Sequence, residues 1–576
     1  MKKLSRFMKP YKLEAILGPL FKLFEATLEL IVPLVIALII DNGINGNAGL
    51  GDKPYIIKMA LLLALFSFVG LAFSVTAQYF AAKASVGFVT NMRGALFRHL
   101  GTLSYTEIDS LGESTMISRL TSDADKVQTG LNLGLRLLLR SPFVVFGAMI
   151  MAFTVDVKSA LIFTVAIPLL SVVVFGIMLA TIPLYKSVQA RLDKVLLKTR
   201  ENLSGVRVIR AFSKEDEEIA AFDNENTALV KVQKFVGAIS ALMNPLTFII
   251  INFAVIVLIY TGAIEIDSGE LTQGELIALY NYMSQILVEL IKLANLIISI
   301  TRSLASAARI RTVFNTESSM TDGKETSGTS STVAVEFSDV SLCYKGAGED
   351  SLSGISFKAY SGETVGIIGG TGSGKTSLVN LIPRFYDATG GLVLLNGADI
   401  KTYSLEAIRK KIGIVPQKAA LFSGTIRENL SWGKKDASDE EIFKALEIAQ
   451  ATNVVIDKGG LDAVIEEGGT NLSGGQRQRL TIARALVGNP EILILDDSAS
   501  ALDFATDKAL RSAVRNISNT TVFIVSQRCS SVMTADKILV LDDGSLSAVG
   551  THEELLKSSP LYKEIYESQF GKEVAI

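Results

Sequence analysis

The chain has 576 residues, with 56 Lys and Arg against 58 Asp and Glu, for a net charge of −2. This balance makes no case for a nucleic-acid partner, the length calls for three or four core-sized units, and a mean hydropathy of +0.39 argues against an all-soluble chain. Cys343 and Cys529, the only cysteines, lie far apart, which argues against a disulfide framework or a cysteine-ligated metal. His99 and His552 leave few candidates for histidine-centred catalysis.

The basic start (Lys2, Lys3, Arg6, Lys9, Lys12) runs into a long apolar segment without a small-residue cleavage pattern, so no cleavable signal is expected. Six apolar stretches follow, near 13–40, 55–80, 132–154, 158–183, 236–262 and 275–300. Each is long enough for about 30 Å of hydrocarbon, which takes roughly 20 residues. Lys and Arg crowd the N-terminus and the long segments after spans two and four (Arg93, Arg98, Arg119, Lys126, Lys186, Arg191, Lys194, Lys198). The loop after span five, Ile264–Glu270, is acidic with no Lys or Arg. The bias predicts cytosolic termini and short outer loops. The long segments read as helical extensions beyond the bilayer, and two stretches in them, 105–113 and 204–212, read equally as helix breaks with exposed ends or as ordinary turns between antiparallel helices.

Charges within spans cost several kcal/mol when they face lipid. Glu25 and Glu29 are i,i+4 in span one, Arg136 and Arg140 i,i+4 in span three, and Glu289 and Lys292 i,i+3 in span six. Two readings stand: a polar lining to a substrate path, or pairing between helices or at a membrane edge. From Glu317 to Ser331 the composition turns to Ser, Thr and Gly, as in a flexible linker. The expected domains are therefore membrane 1–316, linker 317–331 and a soluble α/β domain 332–576.

In that domain an apolar strand, Thr364–Ile368, meets Gly369-Gly370-Thr371-Gly372-Ser373-Gly374-Lys375-Thr376 and then a helical run from Ser377. This is a P-loop in strand–loop–helix context. Backbone N–H groups and a helix N-terminus would cradle phosphates, Lys375 would reach the β- and γ-phosphates, and Thr376 would bind Mg²⁺. Tyr344 is placed to stack on adenine, although strand aromatics are more often core. Gln417, after Val415-Pro416, is a candidate γ-phosphate and metal sensor. Ile492–Leu495 ends in Asp496, a metal-holding carboxylate. Leu472-Ser473-Gly474-Gly475-Gln476 precedes a helical run, Arg477–Leu486, and offers a second phosphate-binding end.

Leu472–Gln476 between a P-loop and the Asp496 strand resembles the signature of ATP-binding-cassette (ABC) transporters. Six spans followed by one cassette resemble an exporter half-transporter over essentially the whole chain. The resemblance implies ATP and Mg²⁺ as cofactors, a lipid bilayer, and a fold of six transmembrane helices with cytosolic extensions followed by an α/β P-loop ATPase. It also implies a dimer of head-to-tail cassettes in which one chain's P-loop faces the other's signature. Ser500-Ala501-Leu502-Asp503 matches the D-loop, Glu467 the acidic position before the signature, and the two cytosolic breaks the coupling helices.

Two departures stand out. Where the family has a water-polarising Glu, this chain has Asp497; where it has a switch His, this chain has Gln527. A carboxylate retracted by about 1.5 Å, one C–C bond, loses alignment on its water, and an amide cannot protonate. The pattern resembles the degenerate-site subunit of heterodimeric bacterial multidrug exporters. It implies a partner half-transporter with the Glu and His, a small amphipathic substrate (drug or lipid), and the bacterial inner membrane. A homodimeric flippase with two weakened sites, or an ATP-binding gate that does not pump, are the rival expectations. A peptide-processing exporter is disfavoured because no protease domain is expected before span one. The order of the membrane and cassette parts disfavours an importer.

Overall fold

A computed structural model describes residues 2–46, 51–326, 331–499, 501–517 and 519–571. Ser500 of the expected D-loop, residues 327–330 of the expected linker and the side chains of Lys2 and Lys3 lie outside the described residues. Contacts divide the chain into two units, Met1–Gly101 with Ser114–Asn315, and Thr102–Glu113 with Thr316–Ile576. The short 102–113 segment therefore belongs by packing to the C-terminal unit, although its covalent neighbours are membrane helices.

The first unit holds six helical segments long and apolar enough to cross a membrane: Arg6–Ile44, Lys53–Leu100, Glu113–Val155, Val157–Ser204, Glu215–Asp267 and Gln273–Asn315. Each contains one of the six apolar stretches read from the sequence. The Lys53–Leu100 helix has 48 residues, which at 1.5 Å per residue is about 72 Å, more than twice a hydrocarbon core. Its first turn is set by Asp52, whose side chain accepts the Tyr55 N–H, and by Pro54. Asp156 starts Val157–Ser204 in the same way through the Ser159 N–H.

Lipid offers no hydrophobic drive between helices, so small residues form the contacts. Ala26, Ala148, Ala152, Ala160 and Ala166 sit in the buried centre with Leu30, Phe163 and Tyr282. The Tyr282 hydroxyl donates to the Leu30 carbonyl at 2.7 Å, so burial leaves no orphan donor. The expected break near 105–113 is a short helix, Tyr105–Leu111, stopped by Gly112 at φ 76°, a value open to glycine. The break near 204–212 is the helix Val206–Ala211.

The second unit contains strands β1 (Val333–Leu342), β2 (Leu352–Tyr360), β3 (Thr364–Gly369), β4 (Gly390–Leu395), β5 (Ala398–Asp399), β6 (Ile412–Val415), β7 (Gly424–Thr425), β8 (Val464–Ile465), β9 (Ile492–Asp496), β10 (Thr521–Val525), β11 (Lys537–Asp542) and β12 (Ser545–Gly550). A six-stranded sheet runs β12-β11-β3-β10-β9-β6, and an antiparallel one runs β2-β1-β4-β5. β11, β3, β10, β9 and β6 are mutually parallel. Their near-continuous Val, Ile and Leu is what burial on both faces requires, and Ile494, Phe523 and Leu539 are fully buried.

The start of the expected linker is pinned rather than free. The Gly323 and Lys324 N–H groups donate to the Tyr403 and Thr402 carbonyls, and Asp322 accepts the Leu405 N–H at 2.8 Å. The composition there is loop-like, but its backbone groups find cassette partners.

His552 opens the helix His552–Ser558. It is half-buried, with Nδ1 2.7 Å from the Tyr562 hydroxyl. Burial holds its pKa below the usual value, partly opposed by Glu553. The unfolded chain then binds this proton more readily than the folded chain, so the His552 contribution to stability is lost as pH falls from above about 6.5. His552→Gln is expected to lose less melting temperature than the wild type between pH 7.5 and 5.5, as measured by thermal unfolding of the full chain.

Candidate nucleotide site

Strands β3, β10, β9 and β6 lie side by side and end at one edge. The chain leaves β3 into the P-loop, β10 into Ser526-Gln527, β9 at Asp496-Asp497 and β6 into Pro416-Gln417. Ligands collect at this carboxyl edge in open α/β sheets. Here Thr371–Ser377, Gln417, Asp496, Asp497 and Gln527 line one cavity of ≈ 710 Å³, together with Ser351, Asp543 and Gly544.

Gly374 has φ 89°, and a Cβ there would lie 2.7 Å from the Ser351 carbonyl oxygen. Only glycine brings the loop this close before the helix Lys375–Leu381 begins. Lys375 is buried, and its Nζ donates to the Gly369 carbonyl at 3.0 Å and the Gly370 carbonyl at 2.5 Å. Burial pushes its pKa down, with Asp497 and Asp496 opposing. Burial pushes Asp496 up and neighbouring Asp497 adds to this, while the Thr376 hydroxyl, donating at 3.2 Å, and Lys375 oppose it.

The donors around Asp496 are all oxygen-bearing: the Thr376 hydroxyl, two carboxylates and the Gln417 carboxamide. A hard divalent cation fits them and would offset the cost of burying Asp496. Among the described residues no group of three or more His, Cys, Asp or Glu side chains gathers as a complete metal site.

Asp497 sits at φ 45°, unusual for a residue with a side chain, and its N–H donates to the Val525 carbonyl at 3.0 Å. Gln417 Nε2 donates to its carboxylate at 3.4 Å. Gln527 lines the same cavity, and its carbonyl accepts from Gln569 Nε2 at 2.8 Å.

The signature lies apart, since none of Leu472–Gln476 lines that cavity. Its helix, Gly474–Leu486, starts three residues earlier than the sequence suggests. The reason is a capping box: Ser473 accepts the Gln476 N–H and Gln476 Oε1 accepts the Ser473 N–H. Glu467 opens the short turn Glu467–Gly469 before it. Asp503 caps the helix Phe504–Arg515, and the Thr506 N–H and hydroxyl hold its pKa low.

Tyr344 does not line the cavity. Its hydroxyl donates to Ser377 Oγ at 3.0 Å, and its ring stands edge-on to Tyr386 at 5.0 Å. The Tyr386 hydroxyl in turn donates to Asp109 Oδ2 at 2.6 Å, and Tyr105 packs on Phe385 at 4.7 Å. Burial and the Asp109 carboxylate both push the Tyr386 pKa up. Sequence reasoning missed Phe385 and Tyr386 because no motif spacing marks them.

The charges in the spans pair. Arg140, 6% exposed, reaches Glu289 Oε1 at 2.6 Å and Glu29 Oε2 at 2.5 Å, from one helix to two others. Ser141 and Lys292 also donate to Glu289, at 2.9 and 2.8 Å. Glu25 pairs with Lys22 at 2.5 Å, a lysine sequence reasoning passed over, which also reaches Ser74. Arg136 is separate, with a buried Nε that has no hydrogen-bond partner among the described residues. Pairing between helices thus describes Glu29, Arg140 and Glu289, and Glu29, Glu289 and Lys292 also line a cleft.

Residues 15–290 match the family model of the ABC transporter transmembrane region, and residues 352–500 match the model described as ABC transporter. The chain is 36% identical to the ABC transporter ATP-binding protein YfiB of Bacillus subtilis (strain 168), covering 100% of this chain and 99% of that one. It is 32% identical to an ATP-dependent lipid A-core flippase of Desulfotalea psychrophila, over 88% of this chain and 89% of the other. The structure of a bacterial Atm1-family ABC exporter with ATP bound superposes with a TM-score of 0.78, covering 99% of each chain at 24% identity, which is a likeness of fold.

Lys375→Met removes the only lysine lining the cavity among the described residues. A charge-assisted phosphate contact is worth roughly 1.5–3 kcal/mol, so ATP affinity of the full chain is expected to fall on the order of tenfold to a hundredfold. Equilibrium titration with a fluorescent ATP analogue measures it.

Proposed function

As the chain belongs to the ABC transporters, with an exporter-type membrane region and an ATP-binding domain in one polypeptide, we propose that it is one half of a heterodimeric exporter whose own P-loop site turns over slowly. ABC exporters work as dimers in a membrane, and their cassette couples ATP hydrolysis to transport. The observation that carries the asymmetric reading is that Asp497 and Gln527 line the same cavity as a complete P-loop.

Lys375 and the P-loop amides would hold the β- and γ-phosphates. Thr376, Asp496 and Gln417 would hold Mg²⁺, which when bound draws charge from the phosphate oxygens. Aligning the attacking water falls to Asp497, steadied by Gln417, but its carboxylate is one methylene short of a glutamate. Gln527 donates an amide hydrogen and cannot take up a proton. Ser473 and Gly475 would complete a competent site against a partner that carries Glu and His.

The substrate is an amphipathic drug or lipid, a reading supported by the likeness to a lipid flippase. The Lys and Arg distribution supports both termini being cytosolic, and the family resemblance supports a bacterial inner membrane. A homodimer with two weakened sites is the second reading, favoured by Asp497 remaining a carboxylate within reach of Gln417.

ATPase assays on the purified chain, alone and co-expressed with a candidate partner, separate the two. The chain alone is expected to be nearly silent and the pair active. Asp497→Ala here should leave most turnover, while Ala at the partner's Glu abolishes it. Turnover of about 1 s⁻¹ or more by the chain alone overturns the heterodimer.

The segments 105–113 and 204–212 would carry the pull between cassette and helices. Tyr386→Phe and Asp109→Ala each remove the 2.6 Å bond. Each is expected to reduce substrate stimulation of the pair's ATPase severalfold with basal turnover near wild type, read from the two rates side by side.

A further inference from the structure

The helix pair Arg6–Ile44 and Gln273–Asn315 encloses a cleft of ≈ 320 Å³ lined by Glu29, Asn281, Ser284, Gln285, Glu289 and Lys292, with aliphatic side chains between them. Glu29 and Glu289 each lie at least 11 residues, about 16 Å, inside the ends of their apolar stretches, so the cleft is at mid-membrane depth. Polar side chains at that depth are costly and call for a use.

Pairing alone leaves two of the charges incompletely covered. Arg140 and Glu289 are buried, with side chains 7% and 3% exposed, and form the closed centre of the cluster. Glu29 and Lys292 hang on that centre by one bond each and keep 40% and 43% of their side chains exposed. The two open groups have opposite sign. Glu29, Glu289, Arg140 and Lys292 together sum to zero charge. Gln285 adds a carboxamide oxygen without a hydrogen-bond partner among the described residues.

We propose that this cleft binds the headgroup of a zwitterionic amphiphile carrying a primary ammonium and a phosphate, as in phosphatidylethanolamine. A ligand with net charge would bring an uncompensated ion against a neutral cluster in low dielectric, and would meet only one of the two open groups, Glu29 or Lys292. A zwitterion meets both. Its ammonium donates to Glu29 and to the Gln285 oxygen, and its phosphate accepts from Lys292 and Asn281. A quaternary ammonium has no N–H and cannot satisfy the two acceptors, so ethanolamine is preferred to choline. The inference rests on the exporter reading for transport, but binding in the cleft does not require turnover.

The test is native mass spectrometry of the full chain in detergent, titrated with dihexanoyl phosphatidylethanolamine, phosphatidylcholine and phosphatidylglycerol. The ethanolamine lipid is expected to bind about tenfold tighter than either of the others, a difference of about 1.4 kcal/mol. Glu29→Gln and Lys292→Met should each bring the three close to parity, and Gln285→Leu should erase the margin over choline. Glu270→Gln, at the exposed pair with Lys158, should leave the preference intact. Equal binding of the three lipids by the wild type overturns the proposal, as does a preference that survives these substitutions. If a charge variant fails to fold, Gln285→Leu decides alone. ATP-driven lipid movement is measured separately, with the co-expressed pair in vesicles: a preference without movement of any amphiphile removes the exporter reading and keeps the site, while movement of other amphiphiles without a preference removes the site and keeps the exporter.

Discussion

Four parallel strands that end together place a lysine, two aspartates and two glutamines around one cavity. The constraint is the hydrogen-bond ladder: β10 pairs with β3 on one side and β9 on the other, with Val525 opposite both Ile367 and Asp496. Residues immediately beyond those positions must emerge side by side. A one-residue slip in either ladder would turn Asp496 to the other face of the sheet. The apolar residues of the strands are therefore what aim the polar residues at their ends, and the cavity is as rigid as the buried sheet beneath it.

The membrane unit solves the opposite problem. Its low-dielectric surroundings favour no polar group, yet it keeps Arg140 at its centre. Arg140 is tolerable because Glu29 and Glu289 come from two other helices and Ser141 fills the remaining carboxylate oxygen. Removing any one member would leave a charge without its counterpart, which costs more than the complete set contributes to stability. The three helices are held in register by a polar bond rather than by shape alone.

Much of this was legible in the sequence, and what was not has a common cause. The six apolar stretches and the α/β class follow from runs and periods, which are local. The P-loop, Asp496 and Gln417 could be placed at one edge because each follows an apolar strand. Tyr386 and its bond to Asp109 join residues 277 apart in sequence, and nothing local marks either one. The partners of Arg140 were all noticed as charges, but their pairing depends on helix faces that periodicity leaves undetermined. The Ser and Gly composition of 317–331 suggested freedom, because composition does not show that a neighbouring loop, 402–405, offers matching carbonyls and N–H groups.

Tyr105–Leu111 packs with one unit while both of its covalent bonds run to the other. The heritable module is therefore not the contiguous cassette. A recombination that swapped residues 332–576 for those of a relative would leave Tyr105 and Asp109 facing foreign side chains at 385 and 386. Such an exchange succeeds only if the incoming domain presents an aromatic pair there, or if the twelve residues of Thr102–Glu113 travel with it. The two stretches are obliged to diverge together, and a chimera designed on domain boundaries alone would cut through that obligation.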